Sequence, residues 1–489
     1  MKRIAVFILT LSVILTVFSG CDKIKPVTGD EPVGVSDISD KKEGTLKLAY
    51  SKADMLDPFT SSMSSNIQIM GLIYDGLYKL NDKYEPVPVI AKSSIVSGTT
   101  VNVTLDSAVF SDGTPITSSD VIYSFEQARY SPNYSSRLLN FLQASVSSSN
   151  MLVFTLETPD PYALSCLTFP IVKNGSEGEL PIGSGRYVPQ KSGESTYLVV
   201  NTRKTNFNPA IKTIMLVPVR DSSSIESSLE IGNTGFYYND LSSGSYLRIN
   251  AKTVDMGINN FIYLGFNSES ETFSDANLRR AVNLAINRNE IVTTAFQGHA
   301  RATYSPFNPD WYALSSKDLV VSMDLPKAEE YITQSEIDIS SKEISLLVNK
   351  ENQFKLETAE FIKGYLEKLG FRVNLKAYTA DYYSEAIKLG SYDMYIGEVR
   401  LSPNMNLFPI FGGDASYGTD PLCASAARYE QYLGGKCELM DFVNTFNEDL
   451  PFIPLCYRNA AASYTNSMQG NFNSCDGDVF YNIEEWSFK

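Results

Sequence analysis

The sequence predicts an α/β fold in more than one domain, on three observations. Two consecutive strand-helix-strand patterns occupy residues 342–398, alternating apolar residues followed by an apolar helical spacing open the chain near residue 44, and 489 residues exceed the ~250 to 300 over which one core grows. With 43% apolar and 20% charged residues, the composition is that of a folded protein with a sizeable core. A formal net charge of -15 repels phosphate backbones and argues against nucleic acid as a partner. The single histidine, His299, cannot build a His-rich metal site, and any Ser-His-Asp triad would have to use it. No GxSxG, HExxH or Walker A pattern occurs, so hydrolase chemistry would rest on paired carboxylates among the 56 acidic residues.

Taken in order, residues 1–20 read as an export signal. Lys2 and Arg3 precede an apolar run over 4–18, shorter than the ~20 residues of a spanning helix. The run ends in Phe18-Ser19-Gly20-Cys21, which resembles the bacterial lipobox and makes Cys21 the expected site of lipidation. Two acyl chains, at ~0.8 kcal/mol per buried methylene, would hold the protein on the outer face of the cytoplasmic membrane. Residues 22–43 lack aromatics, are rich in Asp, Lys, Pro, Gly and Ser, and read as a flexible tether with a reach of about 25 Å. Beyond Cys21 come Cys166, Cys423, Cys437, Cys456 and Cys475, in no metal-binding spacing. A bridge among the last four and buried free thiols are both open.

Leu46, Leu48 and Tyr50 alternate as a half-buried strand, and Ile67, Met70, Ile73, Tyr74 and Leu77 recur at helical spacing over 62–78. Val101, Val103 and Leu105 form a second strand. A turn over 110–115 then leads to a helix from Thr117 that Asp120 caps. Ile344, Leu346 and Val348 form a strand, 356–369 an amphipathic helix that Gly370 ends, and Phe371, Val373 and Leu375 the next strand. A helix over 382–389 and a strand over 392–397 repeat the crossover, so the sheet here is expected to be parallel with helices on its faces. Ligands in such sheets gather beyond the carboxyl ends of the strands, where Glu398 and Arg400 fall.

Several segments together resemble one family, the bacterial extracellular solute-binding proteins, family 5, the peptide/nickel-type receptors of ABC importers. They are Leu56-Asp57-Pro58 with Ile73-Tyr74-Asp75-Gly76-Leu77, the run Phe110 to Thr117 with Asp120-Val121 and Ser124-Phe125, and Pro181-Ile182-Gly183-Ser184-Gly185-Arg186-Tyr187. Tyr263-Leu264-Gly265-Phe266-Asn267, the helix from Leu278 to Arg288, and Pro451-Phe452-Ile453-Pro454-Leu455 complete them. The resemblance implies an α/β, two-lobe hinged periplasmic-binding-protein-like clamp, type II, of the large cluster with an extra inserted domain. Lobe I would gather 44–78, 173–260 and 455–489, the inserted domain 79–172, and lobe II 261–454. It further implies capture of a small solute, expected to be a short peptide, for an ABC permease and its ATPase subunits, with no cofactor, no metal and no catalysis. The alternatives are another polar solute such as an oligosaccharide, or a surface hydrolase.

Peptide-binding members of the family follow the Tyr-Asp strand with an acidic residue that holds the peptide ammonium. Here Tyr392-Asp393-Met394 leads to Gly397-Glu398-Val399-Arg400-Leu401-Ser402-Pro403-Asn404-Met405-Asn406, and that anchor is missing at Leu401 or Ser402. Glu398 and Arg400 are therefore candidates for a substitute pair facing ligand, or for a salt bridge with each other. Asn404, Asn406, Tyr382 and Trp311 complete the candidate ligand-binding residues, with Tyr383 as a weaker aromatic one.

Overall fold

The computed structural model describes residues 45–178, 180–246, 248–314, 323–411, 420, 422–475 and 477–489, all within one compact unit. The expected export signal, Cys21 and the tether lie outside the described residues. Among those described, one mixed sheet of 11 strands runs through the molecule. Its order is Arg372–Tyr378, Glu343–Asn349, Met394–Arg400, Lys252–Phe266, Phe452–Tyr464, Phe236–Asn239, Thr45–Tyr50, Thr213–Pro218, Ser195–Val200, Tyr187–Ser192. Ala300–Ala302 pairs beside Phe452–Tyr464.

The crossover region follows its sequence pattern. Glu343–Asn349 pairs parallel with both Arg372–Tyr378 and Met394–Arg400. The intervening helix, Gln353–Lys368, starts three residues before the expected 356, with Phe354 already in the core, because the Asn352 side chain accepts the Lys355 N–H at 3.0 Å, an N-cap that fixes the first turn. It ends where Gly370 takes φ 96°, a left-handed geometry that costs glycine no Cβ clash. Thr117 and Asp120 form the expected capping box at the helix Ser118–Tyr130. That helix packs on a separate antiparallel sheet, Ala91–Ser97, Thr100–Leu105, Met151–Leu156 and Phe141–Ser148, in that order.

One expected element is shorter. The helix predicted over 62–78 spans Ser64–Ile73, and Tyr74 is already extended. Leu77 packs in the core beyond it, and at Gly76 the chain passes so close to Thr168 that a Cβ would come within 2.9 Å of its carbonyl carbon, room that only glycine leaves. Cys423, Cys437 and Cys456 are unbridged, Cys475 donates to the Asn81 carbonyl, and Cys423 instead caps the helix Ala424–Leu433.

Apolar residues sort into separate cores. One gathers Leu46, Leu48, Val101, Phe125, Met256 and Trp486. Beyond it, neighbouring residues of the same strands face opposite ways, as the period of two demands: Ile262, Leu264 and Ile396 enter one core, and Phe261, Tyr263 and Tyr395 the other. Two long antiparallel strands join the regions. Lys252–Phe266 and Phe452–Tyr464 pair from Lys252 with Tyr464 to Gly265 with Phe452, and the register slips between Met256 and Asn260. Both strands thus cross from one lobe's core to the other, and the expected lobe boundaries at 260/261 and 454/455 fall inside them. Asn259, in the slip, is fully buried and accepts the Asn308 amide at 2.8 Å and, through its carbonyl, the Leu401 N–H at 3.0 Å. The slip interrupts the ladder within the crossing and leaves paired residues on either side of it.

Candidate functional site

The strand Met394–Arg400 carries Glu398 to the crossing. Its Oε1 accepts from Arg458 Nε and Nη2 at 3.1 and 2.9 Å and from Asn260 Nδ2 at 3.1 Å, while Oε2 lies 2.9 Å from Lys355 Nζ. Burial pushes the carboxyl up, but the attraction of Lys355 and Arg458, with the hydrogen bonds from Lys355 and Asn260, outweighs it and draws the group down to about 2. Glu398 is therefore a fixed anion within a structural network that ties the first turn of Gln353–Lys368 to the crossing strands. Arg458 is 1% exposed and its Nη1 is buried without a partner. Arg400 ends the strand and is exposed.

A second arrangement forms where residues 157–166 lie on the segment after that strand. Asp160 is buried; its carboxylate accepts the Tyr162 N–H at 2.8 Å and the Asn404 amide at 2.7 Å. Asn404 is held in turn by the Ser402 hydroxyl at 2.6 Å. Burial drives the Asp160 carboxyl above its ordinary range, against the pull of the Asn404 and Tyr162 hydrogen bonds. The Tyr162 hydroxyl meets the Tyr432 hydroxyl, and its ring lies 4.6 Å from Trp311 and 6.0 Å from Tyr312. Trp311 is 2% exposed and packs on Phe307. The Tyr312 N–H donates to the Lys83 carbonyl, a further link between the two sides of this seam. Leu401 occupies the strand end, where an acidic anchor was missing, and is buried among apolar residues.

Of the predicted residues, Asn404 and Trp311 come together at this seam, and Glu398 stands in the network beside it. Asn406 accepts the Phe408 N–H where the short helix Phe408–Phe411 begins, and Tyr382 is 67% exposed on Ala380–Lys388; neither is gathered here. Tyr383 lies inward and donates to the Ile396 carbonyl. His299 faces Asp255 at 2.6 Å and packs on Tyr246 beside the crossing. Sequence reading passed over Asp160, Tyr162, Tyr432, Lys355 and Arg458. Arg458 had a signal, a charge set in the run Phe452–Tyr464 that is otherwise apolar or small. Asp160 lies between Pro159 and Pro161, a setting that by itself signals no more than a turn.

Three cores carried by two crossing strands, with polar and aromatic side chains meeting at the seam, make a two-lobe clamp architecture. The sequence profile of bacterial extracellular solute-binding proteins, family 5 (middle region), matches residues 85–415, and the chain belongs to that family. It is 21% identical to the oligopeptide-binding protein AppA of Bacillus subtilis (strain 168) over 99% of both chains. Among solved structures, the periplasmic murein tripeptide-binding protein MppA in its unliganded open form superposes with a TM-score of 0.73 at 18% identity, covering 92% of this chain and 98% of that one. The ABC transporter substrate-binding protein CtaP of Listeria monocytogenes superposes with a TM-score of 0.70 at 19% identity, over 92% and 100% of the two chains.

Proposed function

We propose that this chain is the peptide receptor of an ABC importer, closing its two lobes on a short peptide and delivering it intact to the permease. The observation that carries the reading is the double strand crossing at residues 252–266 and 452–464, which leaves the lobes joined but able to rotate about a bulge. Ligand binding would shift that population toward the closed form. The peptide assignment draws on the similarity to AppA and MppA, whose names specify oligopeptide and murein tripeptide. Export and a diacylglycerol on Cys21 would place the receptor on the outer face of the cytoplasmic membrane, within a tether's reach of its permease.

Native mass spectrometry of the purified protein tests the ligand: mixed short peptides are expected, and recovery of a sugar would overturn the peptide reading. A peptide incubated with the receptor should be recovered uncleaved. Labelled palmitate should enter the wild-type chain and not the Cys21→Ser variant; equal labelling of the two would remove the anchor.

A further inference from the structure

One end of the long sheet gathers cations. Leu48, Phe236, Tyr464 and Lys252 pair in a single row across four adjacent strands, which sets Lys252 three strand spacings, roughly 14 Å, from Leu48. Thr45–Tyr50, Phe236–Asn239 and Lys252–Phe266 all start at this end, and Phe452–Tyr464 finishes there. The chain therefore enters the fold at Thr45 from the end at which residues 248–251 and Asn466 extend past the sheet.

Between those two extensions lies an open cleft of about 380 Å³, lined by Arg248, Ile249, Asn250, Ala251, Lys252 and Asn466. Arg248 and Lys252 are exposed, and no carboxylate pairs with either among the described residues. Lys212 precedes Thr213, the sheet partner of Thr45, and donates to the neutral Asn208 side chain at 2.6 Å. Lys489 lies beside Ser467, whose carbonyl accepts its N–H at 2.9 Å, and there the terminal carboxylate offsets its charge. One acid reaches the cleft: Glu230 accepts the Asn250 N–H at 3.4 Å. Arg248, Lys252 and Lys212 outweigh it, on a chain whose net charge is -15. An anionic bilayer repels such a chain as a whole, so its one positive end decides which side faces the lipid.

We propose that this end of the sheet is a seat for the phosphate headgroups of anionic lipids, with Arg248 and Lys252 pairing phosphate oxygens and the Asn250 and Asn466 amides donating beside them. Guanidinium meets phosphate through two parallel N–H donors, and ammonium through a point charge. The lipid source is favoured over free phosphate because whatever precedes Thr45 arrives at this same end. That a membrane is near rests on the export and anchoring proposed above; the charge of the surface does not. Lys252–Phe266 runs from this end to the core that holds Leu264 and Phe266. A seated receptor thus keeps the core of Leu46 and Met256 toward the bilayer and the other outward.

Hydrogen exchange read by mass spectrometry tests the seat. The mature chain, with an N-terminal histidine tag in place of its lipid, is held on nickel-chelating vesicles of phosphatidylcholine, alone or mixed with phosphatidylglycerol, so the result does not depend on what Cys21 carries. Exchange over 248–252 should slow by roughly 25-fold on the anionic vesicles alone, each of two bases favouring the seated form about fivefold. The slowing should vanish in about 0.5 M salt. Arg248→Ala combined with Lys252→Ala should abolish it; both side chains are exposed, and unchanged exchange in the rest of the chain checks the fold. Equal exchange on the two kinds of vesicle would overturn the seat and leave the anchor to be judged by palmitate labelling. Slowing without palmitate labelling at Cys21 would keep the seat and overturn the anchor. Soluble glycerol phosphate slowing exchange as strongly as vesicles would overturn the lipid as occupant, and slowing retained in the double variant would overturn the assigned bases.

Discussion

Glu398 and Asp160 are both carboxylates drawn out of water near the seam, and their surroundings push them in opposite directions. Glu398 has two cations within hydrogen-bond distance and stays ionised down to about pH 2. Asp160 has two neutral amides, and burial raises it. Depth of burial alone therefore says little about role. A carboxylate compensated from within is part of the frame, and one left uncompensated has room for something else. Glu398, which the sequence offers together with Arg400 as a pair facing ligand or each other, belongs to the first kind.

The sharpest way to break this contrast is to remove the framed carboxylate. Glu398→Ala leaves Lys355 and Arg458 facing each other without an anion, with Arg458 already carrying one partnerless nitrogen. Stranding buried charge in this way costs about 3 to 5 kcal/mol, measurable by urea denaturation. A wild-type midpoint in that variant would mean the network holds nothing together.

Acid titration gives the next largest effect, with opposite signs at the two sites. In the unfolded chain the Glu398 carboxyl takes up its proton near 4.5, in the folded one near 2. Its stabilisation is thus complete above that upper value and lost as pH falls through the window, about 3 kcal/mol in all. Asp160, raised in the fold, contributes fully below the ordinary aspartate range, and the contribution falls away as pH rises through its folded pKa. Subtracting the pH profiles of Glu398→Gln and Asp160→Asn from wild type should give difference curves of opposite slope; parallel curves would erase the distinction.

A smaller loss is expected at the bulge. Asn259→Ala would leave the buried Asn308 amide without its acceptor, a cost of about 1 to 3 kcal/mol. Scattering should also report a looser lobe arrangement. If neither stability nor compaction changes, the bulge is not what sets the lobes' relation.

The crossover region was legible in the sequence because its signals are local: alternation in Glu343–Asn349, a cap at Asn352 and a stop at Gly370. The crossing strands were not. Phe452–Tyr464 lies at the centre of the sheet and is buried on both faces almost throughout, so no period of two shows. The partners at the seam were hidden for another reason, distance along the chain. Arg458 lies 60 residues from Glu398, and Asn404 lies 244 from Asp160. Chemistry pointed to Asn404 and Trp311 as residues worth watching. What each would meet depended on a loop from another part of the fold.

The smallest predicted effect is the most telling for the comparison. Asp160→Asn replaces one oxygen by an amide without changing shape. The Tyr162 N–H keeps its acceptor, and Asn404 can turn its amide over to meet the introduced group, with the Ser402 hydroxyl rotating to accept where it now donates. No buried cation is stranded, because none among the described residues pairs with Asp160. The variant should therefore melt within about 1 kcal/mol of wild type, as neutral changes away from a charged network do. Glu398→Gln, the same chemical change, removes the charge that Lys355 and Arg458 both need and should cost distinctly more in the same assay. If the two amide variants lose equal stability, Asp160 belongs to the frame, and the clamp has no spare carboxylate to offer a ligand.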